Sequence, residues 1–400
     1  MMNSEHSGHV AGASLLIAGT CIGGGMLALP VLTSLGGFVP SLFLFVACWL
    51  FMASTGLLYL EVCLWMKGET NIVSMAEKTM GKFGRASAWA FYLFLFYTLT
   101  VAYMSVSIEI VQQFTGDNVS ESLAVLLFVG LLAPFVYLGA TAVDKINSLF
   151  MLGLGLSYIA FIVLGAPHVK AANLEHKNWA LSLLALPVAF TTFGFQGIIP
   201  TVVSYLDFRA KDVRKAIWIG SAIPVFTYMV WEWLIHGIVP VHGAGGLIEA
   251  LEKNYSAIKP LKALLQDPRV TFVGNSFAFF AVVTSFLGVT LGLRDFLADG
   301  LKMEKDRKGR FALCLCIFLP PLLVTLIYPN IFLHALRYAG GFGSAFLLGL
   351  LPIIMVWRGR YSLNFTGEKQ VAGGKATLVL LLLFIAIELL CEFLHLFQVA

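Results

Sequence analysis

About eleven stretches of roughly 20 mostly apolar residues run through this 400-residue chain, and that repetition leaves few folds open. They fall near 10–34, 38–66, 87–112, 122–140, 146–165, 181–205, 215–239, 272–296, 311–328, 331–357 and 376–397. In hydrocarbon every backbone N–H and C=O must be bonded within the protein, so stretches of this length read as spanning helices. Composition agrees: 59% of residues are hydrophobic, 12% are charged, and the mean hydropathy is +0.87. A soluble domain carries about twice that share of charge. The chain therefore reads as an all-α polytopic membrane protein. The opening "MMNSEHSGH" lacks the basic region of a cleaved signal, so the first stretch counts as a span. Six cysteines fall in apolar stretches with the spacing of neither a zinc site nor a disulfide framework, and read as small packing residues.

Charge sets the expected orientation. Nineteen of the 26 Lys and Arg residues fall after the second, fourth, sixth, eighth and tenth stretches, six fall on the other side, and Arg337 lies within the tenth. The positive-inside rule places the nineteen in the cytoplasm, with the N-terminus inside and the C-terminus outside. The long segment 240–271 on the outer side reads as a short amphipathic helix at the surface.

Two stretches carry residues that oppose a continuous helix. The first contains "AGTCIGGGMLALP" at 18–30, with Gly23, Gly24, Gly25 and then Pro30. The sixth reads "LLALPVAFTTFGFQGIIPTVVSYL" at 183–206, with a polar, glycine-containing centre from Thr191 to Gly197 followed by Pro200. Gly23 and Gly194 lie 171 positions apart, the length of five spans with their loops. Five is odd, so the second break begins a copy of opposite topology. The halves are expected at 1–170 and 171–357, with a loop and an eleventh helix at 358–400. Interrupted helices in corresponding places of two inverted halves point to a transporter's midplane site. Unwinding frees amides that suit a carboxylate and carbonyls that suit an ammonium or a cation, and a zwitterionic amino acid offers both charges. Close packing through small residues accounts for a single break more readily than for two in register.

The chain also resembles the bacterial aromatic amino acid permeases, the tyrosine- and tryptophan-specific members of the hydroxy/aromatic group within the amino acid–polyamine–organocation superfamily. The stretches that carry the resemblance are "AGTCIGGGMLALP", "LLYLEV" (57–62), "FGFQGIIP" (193–200), "DVRKAIWIGSAIPVFTY" (212–228) and "SFLGVTLGLRDFLAD" (285–299). It implies a leucine-transporter-like fold, five plus five inverted helices and one extra, with helices 1 and 6 broken. It also implies proton-driven import of L-tyrosine, L-tryptophan or L-phenylalanine across the bacterial inner membrane.

The backbone of Thr20, Ile22, Gly23, Gly24, Gly25 and Met26 is expected to cradle the charged ends of the substrate, completed by Phe193, Gly194, Phe195, Gln196 and Gly197. Phe193 and Phe195 are candidates for ring stacking, worth about 0.5–1.5 kcal/mol beyond burial. Gln196 could read a phenol hydroxyl or an indole N–H. In the third span Tyr97, Thr100, Tyr103 and Ser107 follow helical spacing and read as one polar stripe. The resemblance turns that stripe towards the site, with Tyr97 or Tyr103 closing over the substrate. Ala281, Thr284 and Ser285 resemble the pattern with which sodium-coupled members of the fold hold a cation against carbonyls of the first span, here Gly19 and Ile22. Sodium thus stands as the alternative coupling ion to the proton, and close helix packing as the plainer use of the two hydroxyls. Charged residues within spans are functional candidates: Glu61 as a proton carrier or an ion-pair partner near the cytoplasmic surface, and Arg337, with an acid such as Glu109 or Glu232, as an outer gate or as the partner of the substrate carboxylate. Glu388 and Glu392 read as packing residues of a peripheral span, and His236 as interfacial.

An intramembrane enzyme would need a His-Glu-x-x-His or comparable constellation, and ATP hydrolysis a Gly-x-x-x-x-Gly-Lys loop; the sequence has neither. A channel would repeat a pore element with rotational symmetry. No cofactor, metal, nucleic acid or obligate protein partner is expected beyond the coupling ion, the substrate and the lipid bilayer.

Overall fold

The computed structural model describes residues 2–399 apart from 67, 69, 116–118, 266 and 304–305, with side chains between 9 and 394. Regular structure among these residues is helical throughout. Nine helical stretches are long and apolar enough to cross a membrane: Phe38–Met66, Ile72–Thr115, Glu121–Leu138, Ala140–His168, Trp179–Tyr205, Pro268–Gly300, Arg307–Ile327, Phe332–Tyr361 and Gly374–Leu394. The first span, Met2–Cys21 continued by Gly24–Leu27 and Leu29–Leu32, and the seventh, Ala210–Ile238, complete the expected eleven.

Several boundaries differ from the hydropathy reading, each for a physical reason. The third span begins at Ile72, because the amphipathic segment bearing Glu77, Lys78, Lys82 and Arg85 is helical but too polar to register as a span; it kinks at Gly81, φ 71°. The fourth and fifth spans meet at the single residue Gly139, φ 103°, where a Cβ would stand 2.6 Å from the Arg294 guanidinium. Arg294, counted among the loop charges, is buried within the eighth helix. Lys67 and Lys305 of the same count lie outside the described residues.

The segment 240–271 forms two helices, Leu247–Glu252 and Ile258–Leu265. Leu247, Ala257, Ile258 and Leu261 are fully buried, and the Ala257 N–H donates to the Leu27 carbonyl at 2.9 Å. Its apolar face finds protein instead of lying along a surface. Of the cysteines, Cys21, Cys48 and Cys63 are buried packing residues as expected, whereas Cys316 is exposed.

Helix packing sets the centre of the molecule. The seventh span lies along the first and the second, and the eighth lies between the fifth and the third. The tenth has a wide-turned π-helical middle, Ala339–Leu350. Cβ atoms at Gly340, Gly341 and Gly343 would meet the Pro187 carbonyl oxygen at 1.6 Å, Glu392 Cγ at 2.7 Å and Leu95 Cβ at 3.0 Å. Small residues there admit the sixth, eleventh and third spans at close range.

Most of the Lys and Arg residues lie where the chain turns after even-numbered spans, which we call the basic face; the opposite one is the far face. On the basic face Arg360 donates to both oxygens of Glu61 at 2.6 and 2.7 Å, and the Gln370 N–H donates to the same carboxylate at 2.7 Å. Glu61 is an ion-pair partner tying the second span to the loop after the tenth. Removing one member leaves the other charge buried and unpaired. Arg360→Met should lower the unfolding free energy in detergent by about 3–5 kcal/mol, with Glu61→Gln/Arg360→Met recovering most of it.

Candidate substrate site between the broken helices

The first break is a close approach of side chains to bare backbone. Past Cys21 the chain straightens at Gly23 (φ −174°, ψ −157°), turns through the 3-10 segment Gly24–Leu27 and resumes as helix with Pro30 in its first turn. Proline suits that position because its missing N–H would have no partner there. A Cβ on Gly23 would lie 2.0 Å from Ser285 Oγ, on Gly24 2.8 Å from Tyr103 Cε1, and on Gly25 2.8 Å from Thr192 Cγ2. The three glycines each admit one side chain, from the eighth, third and sixth spans. The Gly24 N–H donates to Ser285 Oγ at 2.9 Å, and that hydroxyl donates to the Ala281 carbonyl at 2.9 Å.

The second break has the same form. Helix Leu186–Thr192 stops, Phe193 to Phe195 are irregular, and helix returns through Gln196–Ile198 into Ile199–Tyr205, with Pro200 in its first turn. Gln196 is fully buried, and its side chain is spent on the protein. Its Oε1 accepts the Phe195 N–H at 2.9 Å, while Nε2 donates to Thr55 Oγ1 at 2.8 Å and the Met52 carbonyl at 3.1 Å. It fastens the break to the second span. Phe195, the residue before it, also packs on the second span, its ring edge 2.8 Å from where a Gly56 Cβ would stand. Phe193 lies between the rings of Phe45 and Tyr228, at centroid distances of 6.0 and 5.2 Å.

The residue that joins the two breaks escaped the sequence reading. Tyr228 of the seventh span places its hydroxyl 2.7 Å from the Cys21 carbonyl and 3.0 Å from the Thr192 carbonyl, the last residues of the helical segments before each break. One turn on, Trp231 Nε1–H donates to the Met26 carbonyl at 2.8 Å. The legible signal was "YMVW" at 228–231, two aromatic donors on one helix face inside a span, where each needs a partner.

Other expected residues scatter. Tyr103 reaches Gly24, but Tyr97 donates to the Cys316 carbonyl of the ninth span at 2.8 Å. Six residues advance a helix by one and two-thirds turns, so the two tyrosines leave it about 120° apart, not on one stripe. Thr284 donates within its own helix to the Phe280 carbonyl at 2.8 Å, and Ser285 meets the first span through an amide, not a carbonyl. Gly19 and Ile22 sit at the last turn before the break, the Ile22 N–H donating to Ala18. Thr20 and Gly197 are exposed. A Cβ on Gly194 would meet Leu348 at 2.8 Å. Glu109 accepts from the Ser256 N–H (3.2 Å) and Oγ–H (2.8 Å), pinning the 240–271 segment. Arg337 pairs with Glu392 of the last span at 3.0 Å.

Two interrupted helices, their ends gathered on one hydroxyl, define a fold of the leucine-transporter type. The fold matches the crystal structure of MhsT in complex with L-phenylalanine at a TM-score of 0.65 and 16% identity, covering 96% of this chain and 97% of that one. The tryptophan/tyrosine permease family matches residues 6–392, and the chain belongs to that family. Among its relatives is the tyrosine-specific transport system 1 of Haemophilus influenzae, 34% identical over 93% of each protein. A tryptophan-specific transport protein of the same organism is 30% identical over 96% of this chain and 95% of its own length. The low affinity tryptophan permease of Escherichia coli is 29% identical with the same coverage. The protein is thus a permease and not an enzyme.

Gly24→Leu should reduce uptake to background while leaving membrane insertion intact, because the side chain must displace Tyr103. Gly288→Ala, at an open position on the eighth span, should transport like the parent. Tyr228→Phe should cost about 1–3 kcal/mol of stability, read as a lowered melting temperature in detergent, since it strips both carbonyl ends of their donor.

Proposed function

We propose that the protein imports aromatic amino acids, tyrosine and tryptophan foremost, by proton symport with alternating access around Gly23–Gly25 and Phe193–Gly194. The observation that carries this reading is the junction at Tyr228. It brings the ends of both broken helices to one point, beside a glycine backbone lined by Tyr103 and Ser285 and an aromatic wall of Phe45 and Phe193. Backbone amides there suit a carboxylate and the helix-end carbonyls an ammonium, while the rings suit an aromatic side chain. The names of the relatives and the phenylalanine bound by MhsT support the same substrate class.

The basic face is taken as cytoplasmic by its charge, which puts the N-terminus on the cytoplasmic side of the bacterial inner membrane and the C-terminus in the periplasm. The far face is covered by the segment packed on Leu27 and Glu109, so this conformation suits release to the cytoplasm. The bundle containing spans 1 and 6, one from each of the halves 1–170 and 171–357, rocks against the scaffold of the remaining spans. Substrate drives the cycle through its different affinities for the two states. A proton is preferred to sodium because Ser285 already accepts an amide N–H from the first span, the wrong polarity for a cation cage.

Uptake of labelled tyrosine and tryptophan into proteoliposomes tests the reading. Accumulation above equilibrium under an inward proton gradient without sodium, abolished by a protonophore, is the expected result. Accumulation only after a sodium gradient is added, lost in Ser285→Ala, would assign coupling to sodium. No accumulation of either amino acid under both gradients would overturn the substrate assignment.

A further inference from the structure

Near the far face the seventh span carries Glu232 and His236 one turn apart, both fully buried. His236 Nε2 lies 3.1 Å from Glu232 Oε1 and 3.0 Å from the Pro30 carbonyl oxygen. That carbonyl lacks its helical partner, since the Ser34 N–H goes to Val31. A carbonyl only accepts, so Nε2 carries a hydrogen. The Thr33 hydroxyl stands between the Glu232 carboxylate and the Leu29 carbonyl. The pair therefore grips the end of the first span beyond its break. Glu232 Oε2 and His236 Nδ1 are buried without a hydrogen-bond partner, which leaves two vacant positions for one further proton.

We infer that Glu232 and His236 form a proton-binding site whose occupancy controls closure of the far face. With only the Nε2 hydrogen the pair bears a net charge of minus one, and burying that charge beneath the first span is costly. One added proton makes the pair neutral, as an acid beside an imidazole or as an imidazolium beside a carboxylate. Opening the far face hydrates the pair and removes the penalty. Closure is thus linked to proton binding, and acidification favours the closed form. From the neighbouring elements the chargeable groups are Lys170, His176, His242 and Glu109. The Lys170 N–H donates to the Gly237 carbonyl while its side chain is exposed. His176 Nε2 lies 3.1 Å from the Leu35 carbonyl oxygen, and its ring is edge-on to His242 at 5.4 Å. Glu109 holds Ser256, next to the Ala257–Leu27 bond.

The inference rests on the alternating-access reading and needs no particular coupling ion. Its test is labelling of Ala257→Cys by a membrane-impermeant thiol reagent in proteoliposomes of the full-length protein. Ala257 is buried and exposed Lys253 is not, so rates are normalised to Lys253→Cys at each pH, with the unmodified protein as background. Normalised labelling should fall about fivefold or more from about pH 8 to about pH 5. In Glu232→Gln the pair is neutral without the added proton, so labelling should be low and flat, with His176 and His242 unchanged beside it. His236→Gln keeps the carboxylate and should keep a pH response; it also serves if Glu232→Gln does not fold. A flat profile in the parent, or an unchanged one in Glu232→Gln, overturns the proton site. Labelling that tyrosine does not change at any pH overturns the alternating-access reading itself.

Discussion

An amide or carbonyl freed inside hydrocarbon has no water to turn to, and this chain frees several of them twice. What replaces the helical bonds is a small set of side chains on neighbouring spans. Tyr228 serves the carbonyl ends at Cys21 and Thr192, Trp231 serves Met26, Ser285 accepts from Gly24, and Gln196 closes on Phe195. Each fixes where its helix must stand. The second span is held by Gln196, the seventh by its two aromatic donors, and the eighth by Ser285. The helical arrangement around the centre follows from completing those bonds.

The same positions explain why glycine is needed. At Gly23 the backbone is extended, a conformation open to any residue, so the requirement is contact and not torsion. Ser285, Tyr103 and Thr192 occupy the space that three Cβ atoms would take. A residue with a side chain would push the third, sixth and eighth spans from the first. The tenth span repeats the device with Gly340, Gly341 and Gly343, where it serves packing. The sequence "AGGFGSAFLLG" at 339–349 showed this glycine-rich segment without showing its use.

Charge is distributed by face. On the basic face Glu61, Arg360 and Gln370 bind the second span to the loop after the tenth, and Arg214 of the seventh span reaches Glu368 and Gln370 of the same loop. On the far face one buried ion pair, Arg337 with Glu392, stands beside hydrogen bonds: Glu109 with Ser256, Ala257 with Leu27, and the Glu232–His236 pair with the end of the first span. A network of ion pairs is costly to open by removing one partner, whereas single hydrogen bonds at about 1 kcal/mol each can be exchanged for water.

The sequence by itself determined the class of fold, the count of spans and the two breaks, because these depend on properties carried by consecutive residues. Twenty apolar residues must be a helix in lipid, and Gly-Gly-Gly before Pro30 or Phe-Gly-Phe before Pro200 interrupts one wherever it lies. Only the tertiary structure decided what each polar residue does, because a hydrogen bond depends on who stands opposite. Gln196 was legible as an amide needing partners, but that they were Met52 and Thr55 of the second span was not. Tyr97 and Tyr103 differ in role because their helix turns between them, one meeting the ninth span and the other Gly24. Arg337 meets Glu392, an acid that looked peripheral, and His236 is wholly buried where hydropathy placed it at an interface. The join at Tyr228 lies 207 residues from Cys21 and 36 from Thr192, and no local pattern encodes which carbonyls a distant hydroxyl will find.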